Sequence, residues 1–260
     1  MPAETTKNFV TTSVNHTTGD NDELGFVDAT TGECVGMVGG KPYGEPGSFI
    51  RGGRESFRTL LWGANNLRVS ADKEFTHYEA DEDGVTAFFK DGTKARGKLL
   101  IGSDGLHSRV LDQLLGSTRD KPVLSSYVPL FGELDLPREQ YEPLRQLAKS
   151  AIQVSGSGFR QMIGMLSMEE DRSSSRWFWA LMPRRENPEP LSDWIQHAST
   201  HELYEYAVEF TKDYHPIVQN VIKYGGPKAI IQPQPKFQEF VPPERLPEGR
   251  VTVMGDAAMP

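Results

Sequence analysis

Cys34 is the only cysteine in a chain of 260 residues. No internal disulfide can form from it, and a reducing compartment suits such a chain. Long apolar runs are missing too: nothing approaches the roughly 18 consecutive residues of a membrane span, so no spanning helix is expected. The start, Met1-Pro2-Ala3-Glu4-Thr5-Thr6-Lys7, has no apolar stretch of the signal-peptide kind. The expected location is therefore cytoplasmic, and the sequon Asn15-His16-Thr17 is read as chance. Positive charge is not in excess either. Lys and Arg number 28 against 36 Asp and Glu, net −8, which argues against nucleic acid or an anionic membrane as the main partner.

Three familiar constellations also fail. Asp81-Glu82-Asp83-Gly84 hints at a calcium loop, but the residue six after Gly84 is Lys90 where a Glu is required. His201-Glu202 is followed at the needed spacing by Glu205 rather than a second His, so no zinc-protease helix is present. Ser157 lacks the outer glycine frame of a nucleophile elbow. No metal site is expected.

What the chain does contain is the composition of a globular protein, 37% hydrophobic and 25% charged, enough for one large or two modest domains. Residues 1 to about 22 are polar and aperiodic and are expected to be a loose lead-in. Gly25 to Val38 predicts a hairpin with its turn near Thr31-Gly32, and Glu55 to Ala64 a helix with Phe57, Leu60 and Leu61 on one face. Strands are predicted at 66–69, 74–80 and 85–89, with hairpin signals at Asp83-Gly84 and Asp91-Gly92. Lys98 to Ile101 reads as a buried strand, followed by a helix over Leu106 to Leu115 that ends at Gly116.

From about 125 to 245 the pattern is one of longer strands (125–134, 151–153, 162–168, 176–182) alternating with helices. Pro137 lies in the first turn of a helix reaching Ser150, Ser199-Thr200-His201-Glu202 forms a capping box for a helix through Phe210, and Pro216 opens another ending near Gly225-Gly226. Trp177, Phe178 and Trp179 are expected mainly in the core. Pro233, Pro235, Pro242, Pro243 and Pro247 mark an irregular return to a last strand.

Two segments repeat one arrangement. Val251-Thr252-Val253-Met254 runs into Gly255-Asp256-Ala257-Ala258, and Lys98-Leu99-Leu100-Ile101 runs into Gly102-Ser103-Asp104-Gly105. In each, a strand meets a turn of small residues carrying one carboxylate, placed where open α/β sheets bind ligands. With Arg54-Glu55-Ser56-Phe57-Arg58-Thr59-Leu60-Leu61 ahead of them, the segments Gly102 to Leu111 and Gly249 to Pro260 resemble the three ordered motifs of the FAD-dependent aromatic hydroxylases (p-hydroxybenzoate hydroxylase-like superfamily). The resemblance covers about residues 50 to 260.

It implies an α/β fold: a partial, Rossmann-like FAD-binding domain with an inserted α+β substrate domain. The expected boundaries are 1–124 and 246–260 for the FAD-binding part and 125–245 for the substrate domain. It also implies a flavoprotein monooxygenase that inserts one oxygen atom of O2 into an aromatic or polyketide-like small molecule, with NAD(P)H as electron donor, in the setting of secondary metabolism. The cofactor-binding residues it implies are Arg54, Asp104, Gly105, Gly255, Asp256 and Ala257. No general base can be named among the six His.

Each assignment has a structural counterpart. Asp256 and Asp104 suit a helix N-cap equally well, Arg54 an exposed helix start with Arg51 and Arg58 as rivals for its place, and His107 an exposed helix residue. The family's opening βαβ unit with G-x-G-x-x-G has no match in this chain, its last motif breaks off early, and Met259 stands where the family usually has His. Two further expectations therefore stand beside the enzyme: a truncated, non-catalytic relative serving as a binding module, or a reductase, halogenase or epoxidase on the same scaffold.

Overall fold

The computed structural model describes residues 8–64, 68–116, 119–240 and 245–258. The lead-in before residue 8, residues 66–67 of the expected strand, Pro242, Pro243 and Met259 lie outside these. In chain order, a hairpin of β1 (Glu23–Asp28) and β2 (Cys34–Gly39) precedes helix α1 (Arg54–Ala64). A meander of β3 (Phe75–Ala80), β4 (Val85–Phe89) and β5 (Lys94–Gly97) leads to β6 (Leu100–Gly102) and α2 (Arg109–Leu115). Then come β7 (Val123–Leu124), β8 (Leu130–Pro137), α3 (Arg138–Leu147), β9 (Ala151–Gly156), β10 (Phe159–Met168) and β11 (Ser174–Pro183). Helices α4 (Glu189–His197), α5 (Thr200–Thr211) and α6 (Pro216–Gly225) and strands β12 (Gln238–Glu239) and β13 (Val251–Val253) follow. The class is mixed α/β, as expected. No helix among the described residues is long and apolar enough to cross a membrane. The chain forms two compact units: residues up to 67 with 126–236, and residues 68–125 with those from 237 on.

The first unit is built on a six-stranded sheet in the order β2-β1-β9-β10-β11-β8. The β1–β2 hairpin, grouped with residues 1–124 in the sequence, thus extends the same sheet as β8 to β11, through parallel pairing of β1 with β9. Side chains alternate across a strand, so the apolar residues spaced by two in β8, β10 and β11 all reach one face. Ile163 opposite Trp179, Met165 opposite Trp177 and Leu134 opposite Trp177 set the register. Both tryptophans are fully buried there against Tyr141 of α3, Ile195 of α4, Leu203 of α5 and Val218 of α6. Phe178 points to the other face and is half-buried. The Ser199–Glu202 capping box is present in both directions at the start of α5, and Gly225 ends α6.

One expectation is overturned. Residues 12–15 and Asp22 are buried rather than a loose lead-in. Asp22 accepts hydrogen bonds from Ser13 Oγ (2.6 Å), Asn15 Nδ2 (2.8 Å), the Arg51 N–H (3.1 Å) and Ser150 Oγ. Arg145 of α3 donates to Asn15 Oδ1 (2.9 Å) and Asp20 Oδ2 (2.6 Å). Each polar group buried here has a partner, which is the condition for burying it at all. The segment is therefore held by polar bonds to residues far along the chain and has no apolar period to announce it.

The second unit contains the β3-β4-β5 meander and the pair β6–β13. The Asp81–Gly84 segment is a hairpin turn: Asp81 Oδ1 accepts the N–H groups of Asp83 and Gly84, both at 2.9 Å. Helix α2 covers one side, where Val85, Val110, Leu111, Phe240, Val251, Val253 and Ala257 form the core. The expectation that 98–101 is a buried strand is corrected: the strand is Leu100–Gly102, in which Leu100 is half-buried, and Leu99 and Ile101 are 65% and 53% exposed. The strand β5 and helix α4 were not foreseen.

Two tests follow from the packing. A β-carbon on Gly132 would lie 2.5 Å from the Trp179 indole, so Gly132→Ala is expected to cost about 1–3 kcal/mol in urea unfolding. Arg96 holds the Asp81 carboxyl down at about 2, aided by the N–H groups of Asp83 and Gly84. A lowered carboxyl stabilises the meander above its unfolded value and ceases to do so as pH falls toward about 2. An NMR titration of Arg96→Met is expected to show Asp81 titrating higher, nearer an ordinary carboxylate.

Candidate functional site

The two strand–turn segments meet. Strands β6 and β13 pair in parallel, Leu100 beside Val251, Ile101 beside Thr252 and Gly102 beside Val253. The Leu100 N–H donates to Arg250 O (2.8 Å) and the Met254 N–H to Gly102 O (2.8 Å), closing both ends of the pair. Parallel pairing puts the two carboxyl ends on one side, so the 102–105 and 254–257 turns leave the sheet together.

Gly102 makes this closeness feasible, since a β-carbon there would stand 2.7 Å from Val110 Cβ of α2. Gly105 and Gly255 have φ of +82° and +63°, the left-handed region that favours glycine. A β-carbon on either would meet nothing within 4 Å. These two glycines thus present bare, open backbone.

The two carboxylates differ in occupation. Asp104 is committed to its own helix: one oxygen accepts from Ser108 Oγ (2.5 Å) and the other from the Arg109 N–H (2.8 Å). Ser108, fully buried, is the N-cap of α2 and accepts from the Leu111 N–H (3.0 Å). Arg109 reaches away to Phe75 O (2.6 Å) and Glu74 (3.0 Å). Glu74 is in turn held below its ordinary value, first by Lys90 and then by Arg109. Asp256, by contrast, is exposed and takes no hydrogen bond or ion pair among the described residues. It caps nothing there, since the short 3-10 turn Gly255–Ala257 has Met254 at its N-cap position. Ala257 is fully buried in the core beneath the turn.

Arg54 is the first residue of α1, exposed and without a partner among the described residues. It belongs to the other compact unit. His107 is exposed, as expected. One supporting residue was missed. Arg119 donates to Ser108 O (2.9 Å), Leu106 O (2.6 Å) and Asp112, with its guanidinium 5.8 Å from the Phe240 ring. It fastens the 104–109 turn from a position beyond the helix, where no motif would point to it.

No family model matches the chain. Among curated proteins it is similar to the FAD-dependent monooxygenase thnD of Trichoderma harzianum, 28% identical over 81% of this chain and 52% of that protein. It is also similar to the FAD-dependent monooxygenase cctM of Talaromyces islandicus, 27% identical over 100% of this chain and 62% of that protein. Among solved structures, HpxO of Klebsiella pneumoniae complexed with FAD and uric acid has a TM-score of 0.63 at 22% identity, covering 92% of this chain and 58% of that one. A salicylate hydroxylase substrate complex has a TM-score of 0.64 at 17% identity, over 92% of this chain and 59% of that one. The chain thus shares the fold of these solved structures and is similar in sequence to the two FAD-dependent monooxygenases. The chain spans between half and two thirds of the length of these relatives.

The unequal occupation of the two carboxylates is open to test. Asp104→Ala removes acceptors from the start of α2 and is expected to cost about 0.5–2 kcal/mol. Asp256→Ala is expected to stay within about 0.5 kcal/mol of the parent. Equilibrium urea unfolding of both variants measures the contrast.

Proposed function

We propose that the protein is part or all of an FAD-dependent monooxygenase that inserts one oxygen atom of O2 into an aromatic or polyketide-like small molecule, with NAD(P)H as the electron donor. The observation that carries this reading is the paired turn: two open glycine backbones and one unbonded carboxylate, Asp256, at the carboxyl ends of adjacent parallel strands. The names of the curated relatives support the same reading.

The residues fit such a cofactor. Asp256 can accept hydrogen bonds from ribityl or ribose hydroxyls, and the bare backbone at Gly255 and Gly105 lets a flat or extended group lie close. In this reading Asp104 acts by shaping the turn more than by direct contact, and Ala257 by seating it in the core. Arg54, exposed at the start of α1, carries a forked cation of the kind that suits a phosphate. When bound, FAD supplies the activation of O2. The chain's own residues bind it, orient the small molecule and exclude water. Asp256, Gly255 and Gly105 would hold the cofactor, and the strands and helices between 126 and 236 would hold the substrate.

Titration of the purified chain with FAD, followed by quenching of flavin fluorescence, tests the proposal. Saturable binding that weakens at least about tenfold in Asp256→Ala, a loss of about 1.4 kcal/mol, is the expected result. A chain that leaves flavin fluorescence unchanged overturns it.

A further inference from the structure

The sheet of the first unit has two unlike faces. One is filled by the tryptophans and the helices. The other carries Met162 and Gly164 of β10 with Phe178 and Ala180 of β11, paired as Gly164 beside Phe178 and Met162 beside Ala180. On this second face lies a guanidinium. Arg51 Nη1 donates to Met165 O, and Arg51 Cζ sits 5.2 Å from the centre of the Phe178 ring. A β-carbon on Gly164 would come within 2.4 Å of Phe178 and 2.9 Å of Arg51 Nη2. The strand thus lacks a side chain at the point where ring and guanidinium come together.

Arg51 has no ion pair among the described residues. Asp22 is the acid that acts on it, and burial lowers its pKa against the pull of that carboxylate. Yet Asp22 bonds to the Arg51 backbone N–H, not to the guanidinium, and is otherwise filled by Ser13, Asn15 and Ser150. A guanidinium has five N–H donors, and Met165 O takes one direction only. The others have no partner among the described residues, and the side chain is half-buried, not enclosed. A cation withdrawn from water without a carboxylate is costly, and the ring beneath it offsets part of that cost. Among the described residues, Arg54, Arg58 and Arg51 all lie in one short segment, but only Arg51 is built into the sheet.

We infer that Arg51 is an anion-recognition residue for the small molecule. Its free edge takes a carboxylate or phenolate oxygen, while the aromatic ring that bears the oxygen lies along the half-buried Met162 and Phe178. The inference rests on the proposed monooxygenase reading for calling that molecule a substrate. A planar guanidinium bonds a carboxylate through two parallel N–H groups, a geometry that an ammonium does not reproduce. The competing role is structural: Arg51 fastens residues near the start of the described chain to β10, where the strand bulges between Met165 and Ser167.

Calorimetric binding of benzoate and 2-naphthoate against benzamide and 2-naphthamide separates the two, measured with and without saturating FAD. The carboxylates are expected to bind at least about tenfold more tightly than their amides. Arg51→Met is expected to abolish that preference, with Arg51→Lys in between and Arg58→Met like the parent. A preference that survives in Arg51→Met overturns the inference. So does a parent that binds acids and amides alike, or binds neither up to about millimolar concentration. Should Arg51→Met fail to fold, Arg51→Lys and the parent's own preference decide. Loss of FAD binding with an Arg51-dependent preference intact would remove the monooxygenase reading alone; intact, Asp256-dependent FAD binding without the preference would remove this inference alone.

Discussion

Three residues of β13 lying parallel to three of β6 hold the candidate site together. Everything proposed for it depends on that short ladder. It places two turns side by side that are remote in sequence, and it does so with few hydrogen bonds. The ladder survives because α2 packs closely over it, and α2 can do so only because Gly102 has no side chain. Backbone pairing, a missing β-carbon and the apolar face of one helix thus form a single arrangement. Loss of any one would part the turns.

Two aspartates in similar turns do different work, and the difference lies in their neighbours. Asp104 is followed by a helix whose first N–H groups need acceptors, so its oxygens are spent on Ser108 and Arg109. Asp256 has no such demand among the described residues and stays open to solvent. A carboxylate that the fold does not use is the one available to a ligand. The same reasoning separates Arg109, tied to Glu74 and Phe75, from Arg54, which has no tie.

Much of this was legible in the sequence, because local chemistry set it. Asp83-Gly84 and Asp91-Gly92 mark real hairpin turns, the Ser199–Glu202 box opens α5, and the spacing of apolar residues locates β10 and β11. The strand–turn motifs likewise stand where they were expected. What escaped was non-local. The segment at 12–22 is mostly polar and looks loose, yet residues 12–15 and Asp22 are buried, with Asn15 bonded to Arg145 and Ser150, which no local pattern encodes. Arg119 supports the 104–109 turn from outside the motif. The exposure of Ile101 shows the opposite failure: an apolar run signals a strand, but not whether both faces are covered.

The β6–β13 ladder also has a temporal meaning. Leu100 meets Val251 only after a stretch of about 150 residues has been threaded elsewhere, and closing so large a loop carries an entropic cost that grows with the logarithm of its length. The intervening residues form most of the other unit, so its prior folding shortens the effective loop. On a ribosome β13 emerges after β6 and after every strand of the larger sheet. The turns at the strand ends would therefore come together after the strands of the larger sheet are available to pair, and the carboxylate of Asp256 would reach its place only then.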